Sequence, residues 1–597
     1  SCAATCAASG AGRGRSPSTG SRSRDGNRGM KIVTRPYAEA DRLRLESSGV
    51  HPLLARLYAA RRISSAAQLE QDFAHLLAPA ALANAEQAAR LLADAIAEGK
   101  KLLIIADYDA DGATACAVGM RALRSFGAQV DYLVPNRMEL GYGLTPELVD
   151  IAARGGKFGA PDLLITVDNG IASVEGVARA KSLGIATLIT DHHLPGDALP
   201  DAECIVNPNQ PGCTFPSKAI AGVGVMFYVM LSLRAELRKR GSFKDKQEPN
   251  LAALTDLVAL GTVADVVPLD ANNRILVSQG LKRLRAGQGK AGLVALSRAA
   301  GRVPGNTSCF DLGFILGPRL NAAGRLADMS LGIECLLTDD EAHAANCAQQ
   351  LDRLNRERRR IEGEMLDEAS AALEGLKESP GATMTLYQPG WHQGVVGLIA
   401  SRVRERIHRP VVCFAKANSD ELRGSGRSIP GFHLRDALDL VAKRAPGLIQ
   451  RFGGHAQAAG LTIHERDLDR FQELFEKTAA QLLPEAARAR IVETDGELEA
   501  AYHSLDVAQL LEAQIWGQGF PPPLFCGNFG VEDQRVVGER HLKLRLVKDG
   551  KRLEAMRFNS LEPLPAKVRA AYRLGVNEFN GLKRPQITFE NVEPLPR

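Results

Sequence analysis

Thiol pairs are missing from this chain of 597 residues: its ten cysteines are scattered, and no two stand in a CxxC spacing. That excludes a cysteine-based zinc ribbon and argues against a disulfide framework. The thiols are therefore expected to be reduced and inert, in a cytoplasmic protein. No apolar run approaches the roughly 20 residues needed to cross a bilayer, which excludes a helical membrane span. The first strand-like apolar run leads into DYDADGATA rather than GxGxxG, which removes a Rossmann dinucleotide site. The net charge is only +5, too small for charge alone to mark a nucleic-acid binder, so the placement of basic residues carries that question. What remains is an ordinary globular composition, 45% hydrophobic and 24% charged. The chain is too long for one core, and its length suggests about three or four domains.

Three short apolar runs end in acids and imidazoles. They carry Asp107, Asp109 and Asp111 in LLIIADYDADG, Asp168 in LLITVDNG, and Asp191, His192 and His193 in TLITDHH. Each run is brief, continuously apolar and followed by turn residues, as a strand buried in a parallel sheet is. Ligands gather at the carboxyl ends of such strands, so the three groups are expected to meet at one edge. A single aspartate at a strand end is ordinarily a cap or turn residue. Three successive strand ends so decorated make that explanation poor. Oxygen donors with imidazole and no thiolate suit Mn²⁺ or Mg²⁺ better than Zn²⁺. Asp109 and Asp111 are spaced to bracket a pair of ions; Asp107 is either a third ligand or a residue that orients the other two. Of the two adjacent histidines, one can ligate metal while the other faces substrate. A fourth apolar run, LVALGTVADVVPL, ends in Asp265 and offers a further carboxylate, with Asp256 at its opposite end the weaker candidate. These features describe a metal-dependent phosphoester hydrolase.

Residues 1–29, rich in Ser, Gly, Arg and Ala, read as a disordered tail. The tail is either an organelle transit peptide or an extension upstream of a start at Met30, and the second reading is preferred. Residues 30–287 read as a helical lead followed by the alternating strands and helices of a doubly wound, mostly parallel α/β sheet. Residues 288–378 form a helical connector. It ends in a long charged helix whose stripe of Leu351, Leu354, Ile361 and Met365 is expected to bridge two lobes. Arg356, Arg358, Arg359 and Arg360 on that helix face either substrate or solvent. Residues 379–485 read as a second α/β domain holding WHQGVVG, GSGRS and FGGHAQAAG. Residues 486–597 change to strand and turn. There Leu542, Leu544 and Leu546 alternate with Lys543 and Arg545, giving the apolar and basic faces of a small OB-fold β-barrel suited to a single strand.

DYDADGATA, VDNG, TDHHLPG and LVALGTVADVVPL resemble the successive motifs of the DHH phosphoesterase superfamily. Within it, PNRMELGYGLT, AGVGVMFYV, GPRLNAAGRLADMS, WHQGVVGLIASR, RGSGRSI and RFGGHAQAAG are similar to the RecJ family of single-strand-specific DNA exonucleases, with matching stretches from about His51 to ITFENVEPLP. The resemblance implies two Mn²⁺ or Mg²⁺ ions held by Asp107, Asp109, Asp111, Asp168, His192 and Asp265, with Asp111 or Asp168 bridging and His193 at the scissile phosphate. It implies processive release of 5′-mononucleotides from the 5′ end of single-stranded DNA, in recombination and repair. Arg137, Ser425 and Arg427 are then candidates for the 5′-phosphate, since arginine offers a bidentate fork. Tyr142 is a candidate for stacking on a base, Arg325 for the backbone beside the cut, His455 for substrate contact, and Lys543 and Arg545 for guiding the strand. A helicase and a single-strand-binding protein are implied partners, and monomer is the default state.

Two other functions stay open on these residues. A small-substrate DHH phosphodiesterase acting on oligoribonucleotides or cyclic dinucleotides shares the metals but needs neither bridging helix nor barrel. A catalytically silent DHH scaffold in a replication assembly would be expected to have lost ligands, and none is missing here.

Overall fold

The structure is a computed structural model that describes residues 30–136, 141–375, 381–579 and 581–595. Its first strand, β1 (Met30–Thr34), precedes the helical lead and pairs with a segment far along the chain. The doubly wound sheet follows. β2 (Lys101–Ala106), β3 (Gln129–Leu133), β4 (Leu163–Val167), β5 (Ala186–Thr190) and β6 (Cys204–Val206) are all parallel, in the order β3-β2-β4-β5-β6. β2 shows why its sequence is so uniformly apolar. Leu102, Ile104 and Ala106 enter the large core on one face, while Leu103 and Ile105 enter a separate core on the other. Alternate residues point to opposite faces, and both faces are covered.

Helices α1 (Ala110–Phe126), α2 (Gly222–Lys239) and α3 (Thr255–Ala264) pack on one another within the large core. α3 is the fourth apolar run, and it is a helix, not another strand. Every residue from Thr255 to Thr262 is buried, so no amphipathic period shows in its sequence. Its ten residues are a helix length rather than a strand length.

α4 (Gly317–Leu326) leads on to α5 (Glu341–Gly375), the long charged helix of 35 residues. Ala344, Cys347, Ala348 and Leu351 on its first half join the large core, whereas Met365 and Ala369 join the core around α6 (Val396–Ile407). α5 therefore spans two lobes. Its arginines are held in intrahelical ion pairs: exposed Arg356 on Asp352 at 3.1 Å, exposed Arg360 on Glu357 and Glu364, and buried Arg358 on Glu362 at 2.5 Å. Such spacing is common on helix surfaces; Arg356 and Arg360 face solvent, whereas Arg358 faces neither solvent nor an open site.

The second lobe is built on β7 (Met384–Tyr387), β8 (Val411–Lys416), β9 (Glu421–Arg427), β10 (Arg451–Gly454) and β11 (Ala458–His464), in the order β10-β11-β9-β8-β7. Only the β7–β8 pair is parallel. β12 (Arg490–Thr494) then pairs in parallel with β1. β13 (Phe525–Val537), β14 (His541–Lys548), β15 (Lys551–Arg557), β16 (Lys567–Phe579) and β17 (Leu582–Pro594) close a barrel. Its attachment to the first lobe is electrostatic as well as apolar. The buried Asp495, one residue past β12, accepts from both terminal nitrogens of Arg61 at 2.9 and 3.0 Å and from Arg35 at 3.1 Å.

Eight cysteines lie among the described residues; all are free and seven are buried. No helix among the described residues is long and apolar enough to cross a membrane.

Candidate metal centre

Three strand ends and one helix end converge at the carboxyl edge of the parallel sheet. β2 stops at Ala106, so the three aspartates of the first motif do not continue one strand. Asp107 follows it directly, Asp109 caps α1 by accepting from the backbone of Asp111 and Gly112 at 2.9 and 3.0 Å, and Asp111 sits in the first turn. Asp111 is fully buried and spans to a second helix, accepting from the backbone of Gly222 at 2.7 Å and of Val223 at 2.9 Å. It therefore rests on the positive end of α2. Asp168 leaves β4 with φ of 62°, a left-handed conformation that strains a residue other than glycine. Asn169 holds that turn by donating to the carbonyls of Ile105 and Val167 at 3.1 and 2.9 Å.

His192 is the hub. Its Nε2 lies 3.1 Å from Asp168, 3.5 Å from Asp265 and 4.0 Å from Asp111. Asp111, His192 and Asp265 each offer a ligand atom within 4.8 Å of one another, and so do Asp107, Asp109 and Asp168. His193 borders this ring, offering a ligand atom within 4.8 Å of those of Asp168 and His192. Its Nδ1 is 2.8 Å from Asp191 and 3.3 Å from the phenol of Tyr142. Asp191 is thus not in the ring but anchors His193, and it also accepts from the backbone of Ile171, His192 and His193. Asp256, the weaker candidate, is remote from the cluster: it accepts from the backbone of Leu257 and Lys290.

The electrostatics are those of like charges pressed together out of water. Burial, then the charge of Asp109, pushes Asp111 up to about 7. Burial and the neighbouring aspartates push Asp168 and Asp265 well above the usual carboxylate range. Burial and the charge of His193 lower His192 to about 4. Burial also opposes charge on His193, but the hydrogen bond and charge of Asp191 outweigh it and hold that imidazole at about 9. The buried Asp168 Oδ1 and His192 Nε2 face each other at 3.1 Å with neither in a hydrogen bond. Repelling carboxylates and two orphaned polar atoms aimed at one point fit a divalent cation with oxygen-rich coordination.

The structure also places the remaining expected residues. His455, on the β10–β11 hairpin, stacks over His193 from the second lobe, ring centroids 6.4 Å apart and planes 12° from parallel. Ser425 and Arg427 lie together on β9, the guanidinium donating to the hydroxyl at 3.0 Å. A Cβ on Gly397, in the first turn of α6, would sit 2.9 Å from that hydroxyl and 3.0 Å from that guanidinium, so a helix N-terminus adjoins both. Arg325, on α4, donates to the carbonyl of Gly394 at 3.1 Å, across the lobes. Tyr142 is half exposed beside His193. Lys543 and Arg545 point outward from β14, while Leu542, Leu544 and Leu546 fill the barrel. Arg137 lies outside the described residues.

Sequence reasoning assigns no role to several residues that stand behind the ligands. Gly222 is one: a Cβ there would come within 2.6 Å of the Asp168 carboxylate. Gly261 is another, where a Cβ would collide with the Thr114 hydroxyl and sit 2.9 Å from Asp111. Asn321 accepts from the backbone of Ala110 at 2.8 Å, tying α4 to the first aspartate motif. The glycines within apolar runs are the available signal, since glycine inside a helix marks close approach.

Comparison with known proteins shows the same three-part organisation. Residues 101–262 match the DHH family, N-terminal domain, residues 380–481 the DHHA1 domain, and residues 494–591 the RecJ OB domain. The single-stranded-DNA-specific exonuclease RecJ of Escherichia coli (strain K12) is 50% identical over 91% of this chain and 96% of its own length. The crystal structure of RecJ in complex with Mn²⁺ from Thermus thermophilus matches with a TM-score of 0.79 at 30% identity, covering 96% of this chain and 81% of that one. The Mg²⁺ complex from the same organism matches with a TM-score of 0.73 at 28% identity, covering 95% of this chain and 79% of that one.

Proposed function

Because the chain belongs to the RecJ family, we propose that it is a metal-dependent exonuclease that degrades single-stranded DNA from the 5′ end to 5′-mononucleotides. The observation that carries this reading is the pair of ligand triads meeting where Asp168 faces His192 at 3.1 Å. Asp107, Asp109 and Asp168 would hold one ion and Asp111, His192 and Asp265 a second. Bound Mn²⁺ or Mg²⁺ supplies Lewis acidity, activating water near neutral pH and offsetting charge on the leaving oxygen.

The chain's own groups bind, orient and hold protons. His193, kept charged by Asp191, presents its free ring edge toward the phosphate and holds a proton at Nε2 for the departing oxygen. His455 closes over it from the second lobe, and burial together with the charge of His193 lowers its own affinity for a proton. Ser425, Arg427 and the start of α6 form an anion pocket for the terminal 5′-phosphate, with Arg137 as a further contributor. β11 pairs Ala458 with Arg427, and His455 lies three residues before Ala458 on the same hairpin. The pocket and the cutting edge are thus held one hairpin apart, which sets the length of the released product. Tyr142 stacks on a base and Arg325 grips the backbone beside the cut. In the same reading the chain is a cytoplasmic monomer working beside a helicase and a single-strand-binding protein in recombination and repair. The bridging helix and the barrel argue against a small-substrate phosphodiesterase, and the full ligand set argues against a silent scaffold.

The test is product analysis on single-stranded DNA labelled at one end or the other, in Mn²⁺ or EDTA, with Asp168→Asn as control. Labelled mononucleotide should appear at once from the 5′-labelled strand only, and only with metal and Asp168. Early release from the 3′ label would overturn the polarity, and metal-independent release would overturn the site.

A further inference from the structure

Phe310 and Phe314 are 57% and 66% exposed, yet their rings stack on one another, centroids 5.1 Å apart and planes 24° from parallel. Two large apolar side chains held side by side in water forgo the stabilisation that burial gives, so the pair invites an occupant. Aromatic residues make up only 5% of the chain, which makes the placement of two in solvent informative.

Their position narrows the occupant. They lie on a continuous helical run over 309–326 whose middle, Asp311–Leu316, is π-helical, a departure from α-geometry common at functional sites. Glycines fix the inner face of that run. A Cβ on Gly313 would meet Val263 at 3.1 Å, one on Gly317 would meet Ala264 at 3.0 Å, and one on Gly324 would collide with the carbonyl of Tyr108. The run therefore lies along the end of α3 just before Asp265 and finishes against the first aspartate motif. Gly313 packs on Val263, two residues before Asp265, so its neighbour Phe314 stands on the order of 10 Å from the metal edge, with Phe310 about one turn further along the run. On its other side the run meets the segment that leads into the barrel: the thiol of Cys309 accepts from the backbone of Trp516, and Asp311 acts on the carboxyl of Glu512. Arg302, half exposed, pairs at 3.4 Å with Asp311, the residue after Phe310.

We propose that Phe310 and Phe314 form a stacking platform for bases of the single strand a few nucleotides behind the cut, between the metal centre and the barrel. This rests on the exonuclease reading. Every base has a π-face, so aromatic rings grip a strand without regard to sequence, as an enzyme that must pass every nucleotide requires. A helix face of a protein partner would call for a broader apolar patch than two rings.

The experiment compares wild type with the Phe310→Ala/Phe314→Ala, Phe310→Leu/Phe314→Leu and Phe310→Trp/Phe314→Trp proteins. Binding of a long single strand is read in EDTA, with 2-aminopurine placed at successive positions from the 5′ end, and turnover of a trinucleotide is read in Mn²⁺. The alanine and leucine proteins should bind the long strand about 5- to 100-fold more weakly, and tryptophan should retain binding. Quenching of 2-aminopurine a few nucleotides from the 5′ end should vanish in the alanine protein. Trinucleotide turnover should change far less than long-strand binding, because so short a strand reaches at most the nearer ring. Long-strand binding by the alanine protein within twofold of wild type would overturn the proposal and leave a protein partner as occupant. A leucine protein equal to wild type would overturn stacking. If wild type released no nucleotide from any single strand, the exonuclease reading would fail instead.

Discussion

The metal edge and the outer face of the barrel are both crowded with charge, but in opposite ways. At the metal edge Asp107, Asp111 and Asp168 are buried, Asp265 lies close to them, and all carry the same sign. On the barrel, Lys543 lies 3.0 Å from Glu554, Arg545 3.9 Å from Asp533 and Arg552 3.1 Å from Glu532, with side chains 34–76% exposed. Exposed pairs of this kind contribute about 0–1 kcal/mol, whereas crowded buried carboxylates without counter-charge are costly. The first region is a conflict that bound protons or a cation must resolve. In the second, neighbours have already resolved the charge, so DNA must displace an existing partner to be held.

The largest expected effect comes from disturbing the conflict without touching a ligand. Gly222→Ala puts a methyl where the Asp168 carboxylate lies 2.6 Å away, and Gly222 also donates its N–H to Asp111. Displacing a reacting group by about 1 Å costs on the order of 100-fold in rate. Turnover of single-stranded DNA should fall by at least that much, with weaker Mn²⁺ binding, while the protein stays folded by circular dichroism. Turnover within twofold of wild type would show that Asp168 has room to move and that the packing around it is not what sets the geometry.

A second test reads the conflict as stability. In metal-free protein Asp111 is held at about 7, and Asp168 and Asp265 are raised well above the ordinary carboxylate range. Their contribution is full below about pH 4, the unfolded value, and is lost as pH rises through the folded values. His193, raised to about 9, acts in the same sense above about 6.5. His192, lowered to about 4, acts oppositely between 4 and about 6.5. The net loss is therefore least opposed above pH 6.5. The melting temperature of EDTA-treated protein should fall by several degrees between pH 6.5 and 8.5, and Mn²⁺ should flatten that slope because ions replace protons. Parallel curves with and without Mn²⁺ would mean that the carboxylates are not the groups that titrate.

These contrasts also mark what can be read from the sequence. The parallel sheet is legible because β2, β4 and β5 are short, apolar and closed by acids, and both β2 faces needing cover explains that composition. The barrel is legible from the alternation of Leu542, Leu544 and Leu546 with Lys543 and Arg545. α3 misleads because a helix buried on every side loses its period. The pairing of β1 with β12 joins residues some 460 positions apart, and no local pattern announces it. At the metal edge the aspartates and His192 can be named from strand ends, but not their supports. Gly222 acts through its missing side chain and backbone N–H, and Asp191 through a hydrogen bond to His193; neither role has a periodic signature. The acids opposite Lys543 and Arg545 are invisible for the same reason, since cross-strand neighbours depend on register.

The smallest expected effect lies on the barrel. Arg545→Ala removes one exposed cation that already has Asp533 beside it. Long-strand affinity should fall only a few-fold and the salt dependence of binding should ease by roughly one unit of slope. Trinucleotide turnover should be untouched. Asp533→Asn should do the reverse, tightening long-strand binding by freeing Arg545 from its neighbour. Opposite signs from these two substitutions, measured by salt titration on one long strand, would establish that DNA competes with acids on the barrel for its basic face. Equal loss of long-strand binding and trinucleotide turnover in Arg545→Ala would break the division between a barrel that guides and an edge that cuts, because one exposed arginine cannot reach both unless the strand path links them directly.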